Sequence, residues 1–443
     1  MKNGPTETPT DLSHPRSEGR GLEDYMNLRN RRLVFLLSFL VGLAAIAYSA
    51  TAGEDLDFWT GAQYDPAVPT MDAVLGHAPG ERIVSHAEIM TYLRALEAAQ
   101  PERMKVVEYA RSWEGRELVN VFIGSEQNIA RMDEISDGMK RLADPRKTSE
   151  AEARRLIDSL PAITWLAYGV HGNEISSPDA SLLTAYHLLA SRGDEVVDVI
   201  LANSLVVLDP TQNPDGRDRF VHNFRIAEGL VPQAHPLAAE HSEPWPGGRT
   251  NHYYFDLNRD WLALTQPETR GRVRTLQEWF PAIFVDLHEM GSNSTYYFSP
   301  EARPYSPHIT SRQRTKLELY GRNNAKWFDR FGFDYFTREV YDAFYPGYGA
   351  SWPLYHGSIA TTYEQASARG LVWRRADGVD LPFRETVRHH FVSSISTAET
   401  TARHRAELLT DFYRYRASAI EEGRSEAVRE YILPNRGDRS TVL

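Results

Sequence analysis

The amino-acid sequence predicts an α/β fold in which a mixed, mostly parallel sheet carries helices on both faces. Apolar, β-prone runs at 162–168, 204–208, 282–287 and 359–364 alternate along the chain with stretches of helical character. Strands that alternate with helices are typical of sheets covered on both sides. Polar residues able to carry chemistry follow these runs, and open α/β sheets bind their ligands at that edge.

The composition is that of an ordinary globular chain with a large core. It has 443 residues, of which 42% are hydrophobic and 25% charged. The net charge of −11 argues against nucleic-acid binding, which usually uses a basic patch. The chain has no cysteine, which excludes disulfides, thiolate metal sites and a cysteine nucleophile.

The N-terminal region has the pattern of an export signal. Three arginines within residues 29–32 precede an apolar run at 33–52, which ends in an A-x-A pattern at Ala50 and Ala52. This pattern predicts a secretory signal cleaved after Ala52, and therefore a periplasmic or secreted protein. The alternative is an uncleaved membrane anchor, because the run is just long enough to span a bilayer.

Four parts follow from these patterns. Residues 1–52 are an N-terminal extension with the signal or anchor, and residues 53–80 are an aromatic, proline-rich lead-in expected to be extended. Residues 81–421 form a single catalytic domain. Residues 422–443 are a tail that allows for the start of a truncated further domain.

The expected elements follow in chain order. Ser85 and Glu88 form a capping box for the first helix, and Gly115 marks a hairpin turn. Ser177 and Pro178 are expected at the N-cap and first position of a later helix. The predicted helices are 85–99, several within 126–159, 178–191, 266–279, 309–331 and 384–421; the hairpin strands are 104–110 and 118–123, and 221–253 is loop.

A metal-binding pattern follows two of the buried strands. His171 and Glu174 lie three residues apart where the first strand gives way to a helix, and His288 follows the strand at 282–287. Imidazole nitrogens and carboxylate oxygens bind zinc, and catalytic sites typically combine three such ligands with a water. The pattern predicts one Zn²⁺ per chain; a solvated turn and a capping histidine are the alternatives.

Two further groups suit catalysis on a peptide. Asn258 and Arg259 offer an amide and a guanidinium fork, as recognition of a terminal carboxylate requires. Glu364 ends a strand in a tyrosine-rich stretch and is a candidate general base whose pKa burial can tune. A surface ion-pair network and an ordinary strand-terminal carboxylate are the alternatives.

Together these motifs resemble the secreted bacterial zinc carboxypeptidases of peptidase family M14, over residues about 80–400. The family's S-x-E-G-R, H-x-x-E and D-x-N-R motifs are similar to segments that begin at Ser112, His171 and Asp256. The resemblance implies that His171, Glu174 and His288 bind zinc, that Asp256 supports the first zinc histidine, that Asn258 and Arg259 hold the substrate carboxylate, and that Glu364 is the catalytic base.

Two roles stay open within this resemblance. The family's oxyanion-stabilising arginine comes shortly after N-P-D-G, where Arg217, Arg219 and Arg225 compete and Arg225 suits best by distance. The substrate-capping tyrosine is Tyr345 or Tyr348; Tyr345 is favoured as the cap, and Tyr348 as a substrate-binding residue.

The resemblance implies a metallocarboxypeptidase that hydrolyses the last peptide bond of peptides with a free C-terminus. One alternative is a zinc amidase or deacylase acting on acylated amino acids or peptidoglycan stem peptides. Another is a secreted, non-catalytic binding module of the same fold. The sequence contains neither a G-x-S-x-G elbow nor an H-E-x-x-H motif, which argues against serine hydrolases and zincins.

Overall fold

The structure is a computed structural model that describes residues 58–434 and residue 437. The predicted signal or anchor at 33–52 lies outside the described residues. Among the residues described, no helix is both long and apolar enough to cross a membrane. From Gly61 onwards the described residues form one compact unit, to which every helix and strand named below belongs.

Twelve helices and eleven strands make up the described part of this unit. The helices are α1 (Met71–Leu75), α2 (His86–Ala99), α3 (Glu126–Ala130), α4 (Met132–Leu142), α5 (Glu150–Ser159), α6 (Ser176–Ala190), α7 (Glu195–Asn203), α8 (Pro214–Ala227), α9 (Pro267–Trp279), α10 (Ser311–Phe331), α11 (Phe383–Arg403) and α12 (Arg405–Ser425). The strands are β1 (Met104–Arg111), β2 (Glu117–Ile123), β3 (Ala162–Tyr168), β4 (Ser204–Asp209), β5 (Ile283–Met290), β6 (Tyr296–Tyr297), β7 (Ala302–Tyr305), β8 (Asp342–Ala343), β9 (Ile359–Ala366), β10 (Val372–Arg374) and β11 (Asp380–Pro382).

The main sheet has seven strands in the order β1-β2-β4-β3-β5-β9-β6. Its four central strands, β4, β3, β5 and β9, run parallel to one another. The β1–β2 hairpin and the short β6 extend the two edges in antiparallel fashion. This arrangement confirms the predicted mixed α/β sheet, and it brings the carboxyl ends of β3, β5 and β9 side by side.

Strand residues alternate between two buried layers. In β3, Ile163, Trp165 and Ala167 join the apolar cluster that also includes side chains of α4, α5, α9 and α12. Tyr168 faces the opposite layer, where its hydroxyl lies 3.0 Å from Ser394 Oγ in α11. Because the central strands are buried on both faces, β3 and β4 are largely apolar along their length rather than alternating, as in other parallel sheets.

Several predicted elements differ in detail from the structure. Helix α6 begins at Ser176, and the hydroxyl of Ser177, expected as its N-cap, instead accepts the Gly169 N–H at 3.1 Å. The long helix predicted at 384–421 is two helices that meet at His404, where the sequence carries neither Gly nor Pro to signal a break. The capping box of Ser85 and Glu88 is present as predicted.

Two segments for which the sequence predicted no helix contain helices in the structure. The lead-in holds the short helix α1, which begins after Thr70 and ends at Gly76 with φ +78°. The N-P-D-G motif begins α8 rather than only making a turn, since the Asn213 side chain accepts the Gly216 N–H and proline occupies the first turn. Helix α8 reaches Ala227, so the first part of the predicted loop 221–253 is helical.

Candidate active site

The loop after β3 delivers two of the predicted metal ligands. Gly169, with φ +63°, turns the chain out of the strand, and His171 and Glu174 follow, both buried. A Cβ on Gly172 would lie 2.1 Å from the backbone nitrogen of Arg217, so only glycine allows this loop to pack on α8. The glycine of the H-G-N-E sequence is therefore a packing requirement.

His171, Glu174 and His288 meet at the carboxyl edge of the sheet. Glu174 bridges the two imidazoles, with Oε1 2.6 Å from His171 Nδ1 and Oε2 2.9 Å from His288 Nδ1. One donor atom from each residue lies within 4.8 Å of the others. The sequence thus correctly placed together three residues that are separated along the chain by up to an entire βαβ unit.

Each histidine is oriented by an aspartate on its other ring nitrogen. His171 Nε2 lies 3.0 Å from Asp256 Oδ1, and His288 Nε2 lies 2.9 Å from Asp286 Oδ2. The hydrogen bond between Asp256 and His171 Nε2 fixes the tautomer that leaves Nδ1 as the metal donor. Asp286 makes an ion-pair contact with His288, whose Nε2 also lies 3.2 Å from Asn258 Nδ2. Asp256 was predicted in this role, whereas Asp286 was not. The signal for Asp286 was its position two residues before His288 in a strand, which puts both side chains on the same face.

Charge favours the ionised forms of these groups. Burial alone lowers the pKa of His288, but Asp286 and Glu174 raise it well above its ordinary value. Burial alone raises the pKa of Asp256, but the hydrogen bond from His171 and the charge of Arg249 bring it well below its ordinary value. The acidic groups therefore remain charged at neutral pH and can compensate a bound cation.

Glu364 lies beside the ligands on β9. It is in register with His288 on the neighbouring parallel strand, so both side chains lie on the same side of the sheet. Burial, opposed by the charge of His288 and reinforced by that of Glu174, raises the pKa of Glu364 to about 8. A dication held by the neighbouring ligands opposes this shift, because positive charge favours the carboxylate. Glu364 is thus a buried carboxyl group that lies beside the predicted metal ligands.

Asn258, Arg259, Tyr345 and Tyr348, here called the carboxylate grip, form the predicted substrate-binding group. Asn258 is buried, with Nδ2 3.2 Å from His288 Nε2 and Oδ1 accepting the Gly349 N–H at 2.8 Å. Arg259 is half-exposed and lies over the Tyr348 ring at 4.6 Å, while Tyr345 packs on Tyr348 at 4.8 Å. The Arg259 guanidinium therefore stacks on an aromatic ring and remains open to solvent.

The arginine at the ligand atoms is Arg249 and not Arg225. Arg249 Nη1 lies 3.3 Å from His171 Nδ1 and 3.4 Å from Glu174 Oε1, and Nη2 lies 3.0 Å from Asp256 Oδ2. Arg225, favoured from the sequence as oxyanion stabiliser, pairs instead with Glu88 at 2.8 Å on the exposed side of α8. It points there because it lies in the last turn of that helix, away from the loop after β3.

The other two arginines after N-P-D-G have structural contacts. Arg217 is fully buried and pairs with Asp179 at 2.5 Å. Arg219 donates to the carbonyl oxygens of Gly247, Thr250 and Asn251, which holds the loop that carries Arg249. Arg249 was not predicted from the sequence, because an arginine in a Gly- and Pro-rich segment has no strand or helix to place it.

The donor set fits Zn²⁺. Two imidazole Nδ1 atoms and one carboxylate converge, each histidine has an oriented second nitrogen, and the set matches the two-His, one-Glu ligands of hydrolytic zinc sites. The parallel sheet with these ligands at its carboxyl edge and a buried glutamate beside them defines the class of zinc-dependent hydrolases.

Comparison with known proteins identifies the family. Residues 89–327, more than half of the chain, match the zinc carboxypeptidases of peptidase family M14. The chain belongs to this family and is accordingly a zinc metallocarboxypeptidase, which confirms the resemblance to family M14, the hydrolase class and the zinc cofactor predicted from the sequence. No curated protein matches the chain at a significant level.

Solved structures show the same fold. Carboxypeptidase A from Helicoverpa armigera is 18% identical, with 76% of each chain covered and a TM-score of 0.50. A putative carboxypeptidase A from Shewanella denitrificans is 15% identical, with 73% of this chain and 69% of that chain covered and a TM-score of 0.50. At these identities the likeness concerns the fold, and the chemistry has to be argued from the site.

Proposed function

We propose that the protein removes the C-terminal residue of peptides, and that His171, Glu174 and His288 hold its zinc. The single observation that carries the proposal is the approach of both histidine Nδ1 atoms to one carboxylate, at 2.6 and 2.9 Å, beside Glu364 and the carboxylate grip. When bound, zinc supplies a Lewis acid and lowers the pKa of water. The other steps of the reaction are proposed to be carried out by side chains of the protein.

Glu364 is proposed as the general base and then the general acid. Its carboxylate takes a proton from the attacking water and later delivers it to the leaving amine. Arg249, whose Nη1 lies 3.4 Å from Glu174 Oε1, is proposed to donate hydrogen bonds to the developing oxyanion. This role replaces the one that the sequence favoured for Arg225.

The carboxylate grip is proposed to select a free C-terminus. Arg259 presents an exposed guanidinium stacked on Tyr348, and a guanidinium fork binds a carboxylate through two charge-assisted hydrogen bonds. Asn258 is held between His288 and Gly349, next to the metal ligands. With the terminal carboxylate bound here, the last peptide bond is the one brought to Glu364. Tyr345, which packs on Tyr348, is proposed to cap the substrate.

Hydrolysis of matched peptides with free and amidated C-termini tests this proposal. We expect the zinc-loaded protein to release the terminal residue preferentially from the free form, with amidation lowering kcat/KM at least about tenfold, because a charge-assisted hydrogen bond contributes about 1.5–3 kcal/mol. Equal cleavage of both forms, or cleavage only of acylated amino acids, would instead indicate an amidase or deacylase. A protein that binds peptides without hydrolysing any of them would be a binding module.

Export is proposed on the sequence of residues 33–52, which lie outside the described residues. N-terminal sequencing of the mature protein, after expression of the full chain in a bacterium, tests it. A start at Gly53 supports cleavage after Ala52, whereas an intact 33–52 segment in the membrane fraction supports an anchor.

A further inference from the structure

A cavity of about 340 Å³ opens beside the metal ligands. It shares Glu174 and Arg249 with the metal centre, and none of the carboxylate-grip residues line it. With a substrate's C-terminus in the grip and its last peptide bond at the ligands, the residues upstream of that bond must leave the ligands by another route. The cavity that adjoins the ligands and excludes the grip provides such a route.

The lining of this cavity is acidic. Outside the metal centre it contains Glu240, Glu243 and Glu289, against a single guanidinium, that of the exposed Arg369. Among the residues described, none of the three carboxylates forms an ion pair with a lysine or arginine. The carboxylates that line the cavity therefore outnumber its guanidinium groups.

The irregular loop at 230–253 builds much of this wall. Glu240 is 6% exposed and accepts one hydrogen bond, from the Gln233 N–H at 3.0 Å. Glu243 accepts the Asn173 amide at 2.8 Å and the Gly248 N–H. These contacts fix two carboxylates in position while leaving acceptor capacity on each, since an ionised carboxylate has about four lone-pair sites.

Glu289 provides an independent indication of a ligand. Only 8% of its surface is exposed, and its Oε1 accepts the Ser176 N–H at 2.8 Å. Its Oε2 has no hydrogen-bond partner among the described residues, although the residue lines the cavity. Buried polar atoms in folded proteins nearly always have a partner, so a donor from a bound molecule or an ordered water is expected at this oxygen.

A metal ion does not fit this place. In the part of the chain that the structure describes, His171, Glu174 and His288 are the only group of three such residues close enough to share an ion. The three carboxylates of the cavity wall are therefore spread too widely to coordinate one cation directly. A long side chain with a terminal ammonium or guanidinium, with several donors and an apolar stem, matches them better. Phe220 and Phe224 in the same lining offer apolar contacts to such a stem.

We infer that this cavity is a subsite for a basic side chain in the two residues that precede the scissile bond, so that peptides with lysine or arginine there are the preferred substrates. The inference rests on the proposed carboxypeptidase function, since it assigns the direction in which the peptide runs. It adds a preference for a class of substrate. This preference is determined by the 230–253 loop and Glu289 and does not depend on the identity of the C-terminal residue that is removed.

The test uses the zinc-loaded full-length protein and acetylated tripeptides ending in leucine. Lysine, norleucine, leucine or glutamate is placed at the first or the second position before the scissile bond. Norleucine has the lysine stem without its charge and is the matched control. We expect kcat/KM for the better lysine peptide to exceed that for its norleucine counterpart at least about tenfold, as a charge-assisted hydrogen bond to a partly buried carboxylate predicts. Glutamate peptides are expected to be the poorest.

Two isosteric variants locate the effect. Glu240→Gln and Glu243→Gln are each expected to reduce the lysine-to-norleucine ratio several-fold, while Glu102→Gln, at an exposed position far along the chain from the loop, is expected to leave the ratio unchanged. A lysine-to-norleucine ratio near one in the unmodified protein overturns the inference without any variant. An undiminished ratio in both loop variants also overturns it.

Binding separates this inference from the proposed function. Calorimetry on the zinc-loaded Glu364→Gln variant measures affinity for the same peptides without turnover. If the unmodified protein hydrolyses none of the peptides, the proposed function fails, and the calorimetric preference for lysine over norleucine still decides whether the cavity is a cation subsite. Equal affinities for the two peptides reject the subsite even if hydrolysis is observed.

Discussion

Asp256 holds the imidazole of His171 in place: its Oδ1 lies 3.0 Å from Nε2, while Nδ1 of the same ring faces Glu174 at 2.6 Å. The hydrogen bond leaves His171 only one nitrogen for a metal and fixes the ring plane. Asp286 lies in the corresponding position beside His288, as an ion-pair contact at 2.9 Å. The metal centre therefore has a matched pair of supporting carboxylates, contributed by a loop and a strand.

Replacing either aspartate is expected to weaken zinc binding rather than abolish it. Asp256→Asn and Asp286→Asn should each lower zinc affinity about 10- to 100-fold, the usual cost of losing an oriented partner behind a histidine ligand. Competition with a chromophoric chelator measures the affinity. Asp260→Asn, a buried aspartate that bonds Thr265 and Gln266 instead of a ligand, is the control. An unchanged affinity in both supporting variants would refute this role.

Removing a ligand is expected to have a larger effect. His288→Ala should purify without zinc, whereas the unmodified protein should contain about one zinc per chain, because a site with two of three protein ligands holds the metal weakly. Metal analysis after gel filtration measures this content. His241→Ala, a buried histidine bonded only to backbone carbonyls, should retain zinc. Zinc retained by His288→Ala at full occupancy would contradict the assigned ligand set.

The parts of the site that the sequence predicted are those placed by regular structure. His171, His288 and Glu364 follow or end strands, and the order of parallel strands alone brings them together. Arg249 lies in an irregular loop, and its position depends on backbone contacts that no local pattern encodes. A Cβ on Gly216 would lie 2.3 Å from the Gly248 carbonyl oxygen, a long-range approach that sets where the loop runs. The sequence favoured Arg225 because spacing along the chain was the only available guide.

Asp286 shows a different limit. It lies two residues before His288 on β5, so the shared face was predictable, but its role depends on the tautomer of His288 and thus on Glu174 from another element. Some predicted helix boundaries were wrong for local reasons. One example is the break at His404, which no Gly or Pro marks in the sequence. Strand order and strand ends were therefore more predictable than loop paths and hydrogen-bond partners.

The proposed base can be separated from the metal. Glu364→Gln keeps the shape of the side chain and removes its ability to accept a proton, so we expect zinc content to be unchanged and kcat to fall about 10²- to 10⁴-fold, the usual contribution of general acid–base catalysis. Hydrolysis of a free C-terminal peptide, with zinc measured on the same sample, checks both parts. Normal turnover by this variant would show that another group takes the proton.

The two arginines give a direct comparison. Arg249→Ala should lower kcat about 10²- to 10³-fold in the zinc-loaded enzyme, if its guanidinium stabilises the oxyanion. Arg225→Ala loses only a surface ion pair with Glu88, which contributes about 0–1 kcal/mol to stability, and should keep its activity. Steady-state kinetics at saturating zinc distinguishes them. The opposite ranking of the two variants would restore the assignment made from the sequence.

His187, which is not part of the metal centre, is expected to lower the free energy of unfolding as the pH becomes acidic. His187 in α6 is fully buried, its Nδ1 lies 3.0 Å from the Tyr64 hydroxyl, and Asp194 Oδ2 lies 3.9 Å from Nε2. Burial, only partly opposed by the charge of Asp194, lowers the pKa of His187 to about 4. In the unfolded chain His187 is therefore protonated below about pH 6.5, whereas in the folded chain it is protonated only below about pH 4. Between these two pH values the free energy of unfolding falls by up to about 1.4 kcal/mol for each unit by which the pH decreases.

The variant His187→Gln isolates this effect, because glutamine cannot titrate. At pH 7 the unmodified protein should be the more stable of the two, since its neutral imidazole keeps its packing and its bond to Tyr64. As the pH falls from 7 towards 4.5, the difference in unfolding free energy between the two proteins should shrink, because only the unmodified protein loses the contribution of His187. Urea titrations at several pH values measure that difference. If it stayed constant over this range, the imidazole would be protonated equally in both states, and its burial would have no linkage to folding.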